Sequence, residues 1–66
     1  MNQLSEQLRL RRKALKKNQF DLAFDSDISF KTISRAEFDI TKIRVHTFLK
    51  IIDALGLKIE LKEVEK

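Results

Sequence analysis

The stretch from Gln19 to Glu37, Q-F-D-L-A-F-D-S-D-I-S-F-K-T-I-S-R-A-E, constrains the fold of this chain more than any other. It reads as a short helix over 19–25, a tight turn, and a second helix over 30–38. Leu22, Ala23, Ile28 and Ile33 fall where two crossing helices need apolar contacts. Asn18 and Ser29 stand at the two helix starts, where a side-chain oxygen can accept a backbone N–H that has no partner within the helix. Ser26-Asp27 supplies the turn. Glycine is favoured at such a place, but aspartate tolerates left-handed backbone better than most residues, so the turn survives at some cost.

The flanking segments read as support for this pair. Upstream, Leu4, Leu8 and Leu15, with Leu10 and Ala14 alongside, mark a helical apolar face over 3–16. Downstream, 39–43 is a short connection. A fourth helix over 45–55 comes next, with Val45, Phe48, Leu49, Ile52 and Leu55 on one face. Gly56, the single glycine, falls just past it at the position expected for a C-terminal cap. Phe20 and Phe24 form an i,i+4 pair on the second helix. From Leu57 to Val64 the period changes, and apolar and charged residues alternate as in a half-buried strand. A lone strand in a helical chain has an unpaired edge that invites another chain. A two-fold homodimer supplies the same strand running antiparallel.

Bulk properties narrow the function. Sixty-six residues make one domain, 1–66, near the size limit for a core that folds unaided. There is no cysteine, which removes disulfides and thiolate metal sites, and the lone His46 cannot build a metal site by itself. No apolar run approaches the length of a membrane span, so the expectation is a soluble, cytoplasmic protein without a membrane partner. A nucleophile with its base and orienting group is not available, nor is a glycine-rich phosphate loop. No enzymatic activity and no cofactor is expected.

The net charge is +4 with a pI near 9.7, a mild bias toward polyanions. Its distribution is more informative. Residues 1–17 hold Arg9, Arg11, Arg12, Lys13, Lys16 and Lys17 against Glu6 alone. Residues 18–39 carry Asp21, Asp25, Asp27, Glu37 and Asp39 against Lys31 and Arg35, and both of those cations lie on the second helix of the pair. Position just before the helical pair favours phosphate contact for part of the basic run R-L-R-R-K, and a solvated helix face is the alternative.

A helix, tight turn and helix can place the second helix in the DNA major groove. The outward set on that helix is Ser29, Phe30, Lys31, Ser34 and Arg35, with Ile33 facing inward. Lys31 and Arg35 can donate to guanine O6 and N7, and Phe30 can pack on a thymine methyl. The alternative for the two cations is a role in solubility alone.

These residues resemble the lambda-repressor-like helix-turn-helix family of the Cro/C1 or Xre type, over nearly the whole chain. Leu8, Arg9 and Arg12 fit its first helix, and Gln19, Leu22 and Ala23 its Q-x-x-L-A. Ile28 to Glu37 fits its v-s-x-x-t-I-S-r-x-E, and Thr47, Phe48, Leu49 and Ala54 to Gly56 its fourth helix. The resemblance implies a phosphate contact at Gln19 and DNA-facing positions at Ser29, Phe30, Lys31, Thr32, Ser34 and Arg35. It also implies backbone contacts from Lys42 and Arg44 near the operator centre. Departures are Phe38-Asp39 where x-G is usual after the glutamate, Asp27 for glycine, the lack of proline before the fourth helix, and Lys17 and Ser26 at habitually apolar positions.

The ending T-F-L-K-I-I-D-A-L-G-L-K-I-E-L is similar to HipB-type antitoxins, which dimerise through a C-terminal strand and repress an operon shared with a HipA-like kinase toxin. The expected fold is an all-α, four-helix helix-turn-helix domain, helical over about 3–55. One C-terminal β-strand over 57–64 pairs across a homodimer through Leu57, Ile59 and Leu61. The expected function is a repressor of an inverted-repeat operator in double-stranded DNA, with a HipA-like toxin as partner. Two alternatives stay open: a free-standing regulator of the phage or restriction-control type, and a protein-interaction module built on Phe20, Phe24 and the basic first helix.

Overall fold

The computed structural model describes residues 3–60. It contains four α-helices: α1 (Gln3–Ala14), α2 (Gln19–Ser26), α3 (Phe30–Phe38) and α4 (Val45–Ala54), with a single 3-10 turn over Ile40–Lys42 between the last two. Helix α3 packs on both α1 and α2, and α2 also packs on α4. The core is Leu8, Leu22, Ile33, Ala36, Ile51, Ile52 and Leu55, with Leu15, Ala23, Ile28, Ile40, Ile43, Phe48 and Ala54 packed around it. All four apolar residues expected to join α2 and α3 are among these.

Local chemistry sets the starts of α2 and α3 and the ends of α2 and α4. Asn18 forms a reciprocal capping box with Asp21: its Oδ1 accepts the Asp21 N–H at 2.8 Å, and its own N–H donates to Asp21 Oδ2 at 2.8 Å. Asp27 ends α2 in left-handed backbone (φ 57°, ψ 38°), and the next amide, Ile28 N–H, reaches back to the Ala23 carbonyl at 3.1 Å. Ser26, at a position that is usually apolar in the family, is buried without an orphaned hydroxyl because its Oγ–H donates to the Leu22 carbonyl at 2.6 Å. Gly56 closes α4 at φ 70°, with Leu57 N–H bonded to the Ile52 carbonyl at 2.9 Å.

The structure departs from expectation in four places. Helix α1 stops at Ala14 rather than Lys16, because Lys16 takes left-handed backbone (φ 58°) and turns the chain into α2. The buried stripe of α1 is Ser5, Leu8 and Arg12, while Leu4 and Leu10 are about half exposed and Ala14 is exposed. Periodicity counts only apolar side chains, and two of these three positions are polar. In α4 the buried residues are Ile51 and Ile52, with Leu55 just beyond; Val45 and Leu49 lie outside. Lastly, Phe20 does not pair with Phe24. Its ring stacks on Phe30 across the α2–α3 turn, and Phe24 is 88% exposed.

No strand occurs among the described residues. Leu57 to Glu60 are exposed and carry neither helix nor strand, and residues 58–60 make no backbone–backbone hydrogen bond among the described residues. Leu61 to Val64, the rest of the expected strand, lie outside the described residues. Hydrogen bonding of a lone edge strand depends on a second chain, so a single protomer cannot display it.

Polar burial in α1 has a clear cause. Arg12 Nε donates to Glu37 Oε2 at 2.7 Å and its Nη2 to Glu37 Oε1 at 2.9 Å, a two-point pair in which both side chains are buried. Its Nη1 donates to the Lys17 carbonyl at 2.8 Å. Ser5 Oγ accepts the Ile40 N–H at 2.8 Å and so anchors the 3-10 turn to α1.

These bonds and turns make two stability predictions. Arg12→Ala and Glu37→Ala should each cost about 3–5 kcal/mol, because each strands a buried charge. A chain of this length has only about 3–10 kcal/mol in total, so either variant should lose a large share of its stability. Replacing both partners together, Arg12→Met with Glu37→Leu, should retain more stability than either alanine variant. Urea titration by circular dichroism decides this, and single variants within about 1 kcal/mol of the parent would remove the pair from its structural role. Gly56→Ala should cost about 1–2 kcal/mol through its left-handed backbone alone, since an added methyl would meet only Arg11 Nη2 at an ordinary 3.5 Å. Thermal unfolding reads that loss.

Candidate nucleic-acid interface

Two sets of basic residues differ in what they do within the fold. The arginines of α1 serve the fold: Arg9 pairs with Glu6, Arg12 with Glu37, and Arg11 Nε donates to the Leu55 carbonyl at 2.9 Å, capping the end of α4. Lys17 pairs with Asp25. Of the run R-L-R-R-K, Lys13 is the cation left exposed and without an ion pair among the described residues. Lys31, Arg35, Lys42 and Arg44 are also exposed, and none of them forms an ion pair among the described residues.

Helix α3 positions the first part of this second group. Ser29 caps it, accepting the Thr32 N–H at 3.2 Å and donating its hydroxyl proton to Thr32 Oγ1 at 2.9 Å. The Ser29 hydroxyl is thus committed within the protein, while the Thr32 hydroxyl keeps its own proton to donate outward. Ile33, Ala36 and Glu37 face the interior, which leaves Lys31, Arg35 and Phe38 on the opposite face. Ser34 is half-buried beside them.

The α3–α4 connection brings in the rest. Asp39 takes extended backbone (φ −154°) and caps the 3-10 turn, so the glycine usual at this place is not needed. Its Oδ1 accepts both the Thr41 hydroxyl at 2.6 Å and the Thr41 N–H at 3.1 Å. These bonds, the hydroxyl first, hold the Asp39 carboxyl below the ordinary aspartate range, with a smaller contribution from the Lys42 charge. Because the folded value is lowered, the turn's stabilisation is complete at neutral pH and is lost only as pH falls through that lowered value. Lys42 is thereby held on an ordered turn.

Thr32, Arg35, Lys42 and Arg44 converge with Ile43 and Thr47 on one open depression of about 200 Å³. Arg35 and Lys42 also line a second depression with Phe38 and Asp39. Arg44 stands at the start of α4 and provides no side-chain cap, so the first amides of that helix open toward the basic rim. Sequence reading missed Thr47 as a member of this surface. Its signal was present, as a hydroxyl in the first turn of a helix without a capping residue.

The remaining expected residues lie around this centre. Gln19 is half-buried at the start of α2, and its Nε2 donates to Glu37 Oε1 at 3.2 Å, which ties it to the Arg12–Glu37 pair. Phe30, the first residue of α3, is stacked on Phe20. Leu57 and Ile59 lie elsewhere, lining an apolar groove of about 310 Å³ with Leu4, Leu8, Phe48 and Ile52. No described helix is long and apolar enough to cross a membrane.

A helix-turn-helix family profile matches residues 8–62, most of the chain. No curated protein and no solved structure matches it. The match takes in α1 from Leu8 onward, the whole of α2, α3 and α4, and the basic surface described above. On that match the chain belongs to the Cro/C1-type, lambda-repressor-like helix-turn-helix family, a family of DNA-binding regulators rather than of enzymes.

Proposed function

We propose that the protein is a transcriptional repressor that binds an inverted-repeat operator as a homodimer. The observation that carries this reading is the convergence of Thr32, Arg35, Lys42 and Arg44 on one face, with none of the three cations held by an ion pair among the described residues. Helix α3 is the reading helix. Lys31 and Arg35 donate to base edges, Ser34 lies beside them, and Ser29 holds the helix start. Gln19, Lys42, Arg44 and the open amides of α4 hold phosphates on either side.

Dimerisation places two copies of α3 in successive major grooves about 34 Å apart. The C-terminal segment is the dimer contact in this reading, through Leu57, Ile59 and Leu61. Support comes from the apolar–charged alternation and from the exposure of Leu57 and Ile59, which no local strand covers among the described residues. The resemblance of residues 47–61 to HipB-type antitoxins extends the proposal to an operon shared with a HipA-like kinase toxin. A neighbouring gene of that kind separates this from a free-standing regulator of the phage or restriction-control type.

The test is selection of binders from a random duplex pool at moderate salt. The wild-type protein should enrich an inverted repeat. Arg35→Ala should lose affinity and base preference together, about 1–3 kcal/mol at one position per half-site. Lys42→Ala should weaken all sequences alike and reduce the salt slope by about one. Failure to enrich any sequence would move the reading to a protein-interaction module. For the dimer, Ile59→Lys should be monomeric by sedimentation where the parent is dimeric, and should lose the inverted repeat while keeping weak non-specific binding. A parent chain that sediments as a monomer in the presence of its repeat would refute strand-mediated pairing.

A further inference from the structure

Two aromatic rings from different helices meet at the edge of the reading face. The centroids of Phe20 and Phe30 are 4.2 Å apart and the rings are within 13° of parallel. Neither ring is part of the core: Phe20 is 66% exposed and Phe30 40%. Phe20 belongs to the first turn of α2 and Phe30 opens α3, so the stack bridges the turn between the two helices. The backbone under Phe30 is fixed by the Ser29–Thr32 cap, and the stack restrains its ring. The result is a rigid apolar surface beside Lys31, at the N-terminal end of the helix that does the reading.

Such a surface has no hydrogen-bonding atom, so it cannot recognise the donors and acceptors of a base pair. In the major groove thymine alone among the four bases carries a methyl group, at C5, and an apolar side chain can discriminate by covering it. From this geometry we propose that Phe20 is a specificity-determining residue. Stacked on Phe30, it forms with it one contact surface for a thymine 5-methyl in each half-site. The proposal rests on α3 being the reading helix, and it goes further by giving α2 a direct part in base choice. An isolated Phe30 would lose rotamer entropy on contact, a cost that the Phe20 ring removes beforehand.

The experiment begins with the duplex that the wild-type protein enriches from a random pool. Each thymine of that duplex is then replaced singly by deoxyuridine, which deletes only the methyl. One position per half-site should lose about fourfold in affinity, the value of one buried methyl-sized group. That dependence should fall below about twofold, half the methyl's value or less, in Phe20→Ala and in Phe30→Ala, and should persist in Arg35→Ala. Phe20→Leu, which keeps apolar bulk without a flat ring, should give an intermediate value, and it guards against an alanine variant that fails to fold. If the wild-type protein binds every deoxyuridine duplex as tightly as the parent, or if both Phe20 variants keep the full methyl dependence, the proposal is overturned while DNA reading stands. If the pool yields no enriched sequence, DNA reading itself falls and the proposal with it.

Discussion

The Arg12–Glu37 pair is the interaction on which the rest of this small domain depends. It joins α1 to α3 through two parallel bonds, and the same guanidinium holds the Lys17 carbonyl in the turn that enters α2. The same carboxylate holds Gln19 at the start of α2. Three helices therefore share one buried polar centre. An ion pair in a core gives little net stability over well-packed apolar residues of the same size. What it supplies here is register: α3 has one rotation and one depth at which Glu37 meets a two-pronged donor. The outward face of α3, which carries Lys31 and Arg35, is defined by that rotation.

The division of positive charge has the same origin. In a chain this short, helix ends and buried acids need donors, and the arginines of α1 provide them to Glu6, Glu37 and the end of α4. Lys31, Arg35, Lys42 and Arg44, on α3 and the turn before α4, are among the cations left without ion pairs among the described residues. A potential able to attract phosphate thus arises where the protein has no internal use for its charge. Asp39 contributes indirectly, because its bonds to Thr41 order the turn that carries Lys42.

Three left-handed residues set the paths at the helix ends: Lys16 before α2, Asp27 before α3 and Gly56 after α4. Only one of them is glycine. Asp27 was legible because aspartate after a short amphipathic helix substitutes for glycine in that backbone region. Lys16 was not, since lysine carries no local signal for it. Its turn is closed by the Lys16 N–H on the Lys13 carbonyl at 2.9 Å and the Lys17 N–H on the Arg12 carbonyl at 3.2 Å, and the Arg12 side chain holds the Lys17 carbonyl beyond it.

The four helices, the caps at Asn18, Ser29 and Gly56, and the apolar contacts of α2 with α3 were determined by sequence alone, because capping and helical periodicity act over three or four residues. The outward set on α3 was legible for the same reason: once Ile33 is inside, the outward positions are settled by the helical repeat. Tertiary structure decided what depends on residues far apart in the chain. It made Arg12 a core residue through Glu37 and turned Val45 and Leu49 outward. It also gathered Thr32, Arg35, Lys42 and Arg44 into one surface with Thr47, and set Phe20 on Phe30 instead of Phe24. In each case the deciding contact joins separate segments, and no local pattern records the rotation at which two helices pack.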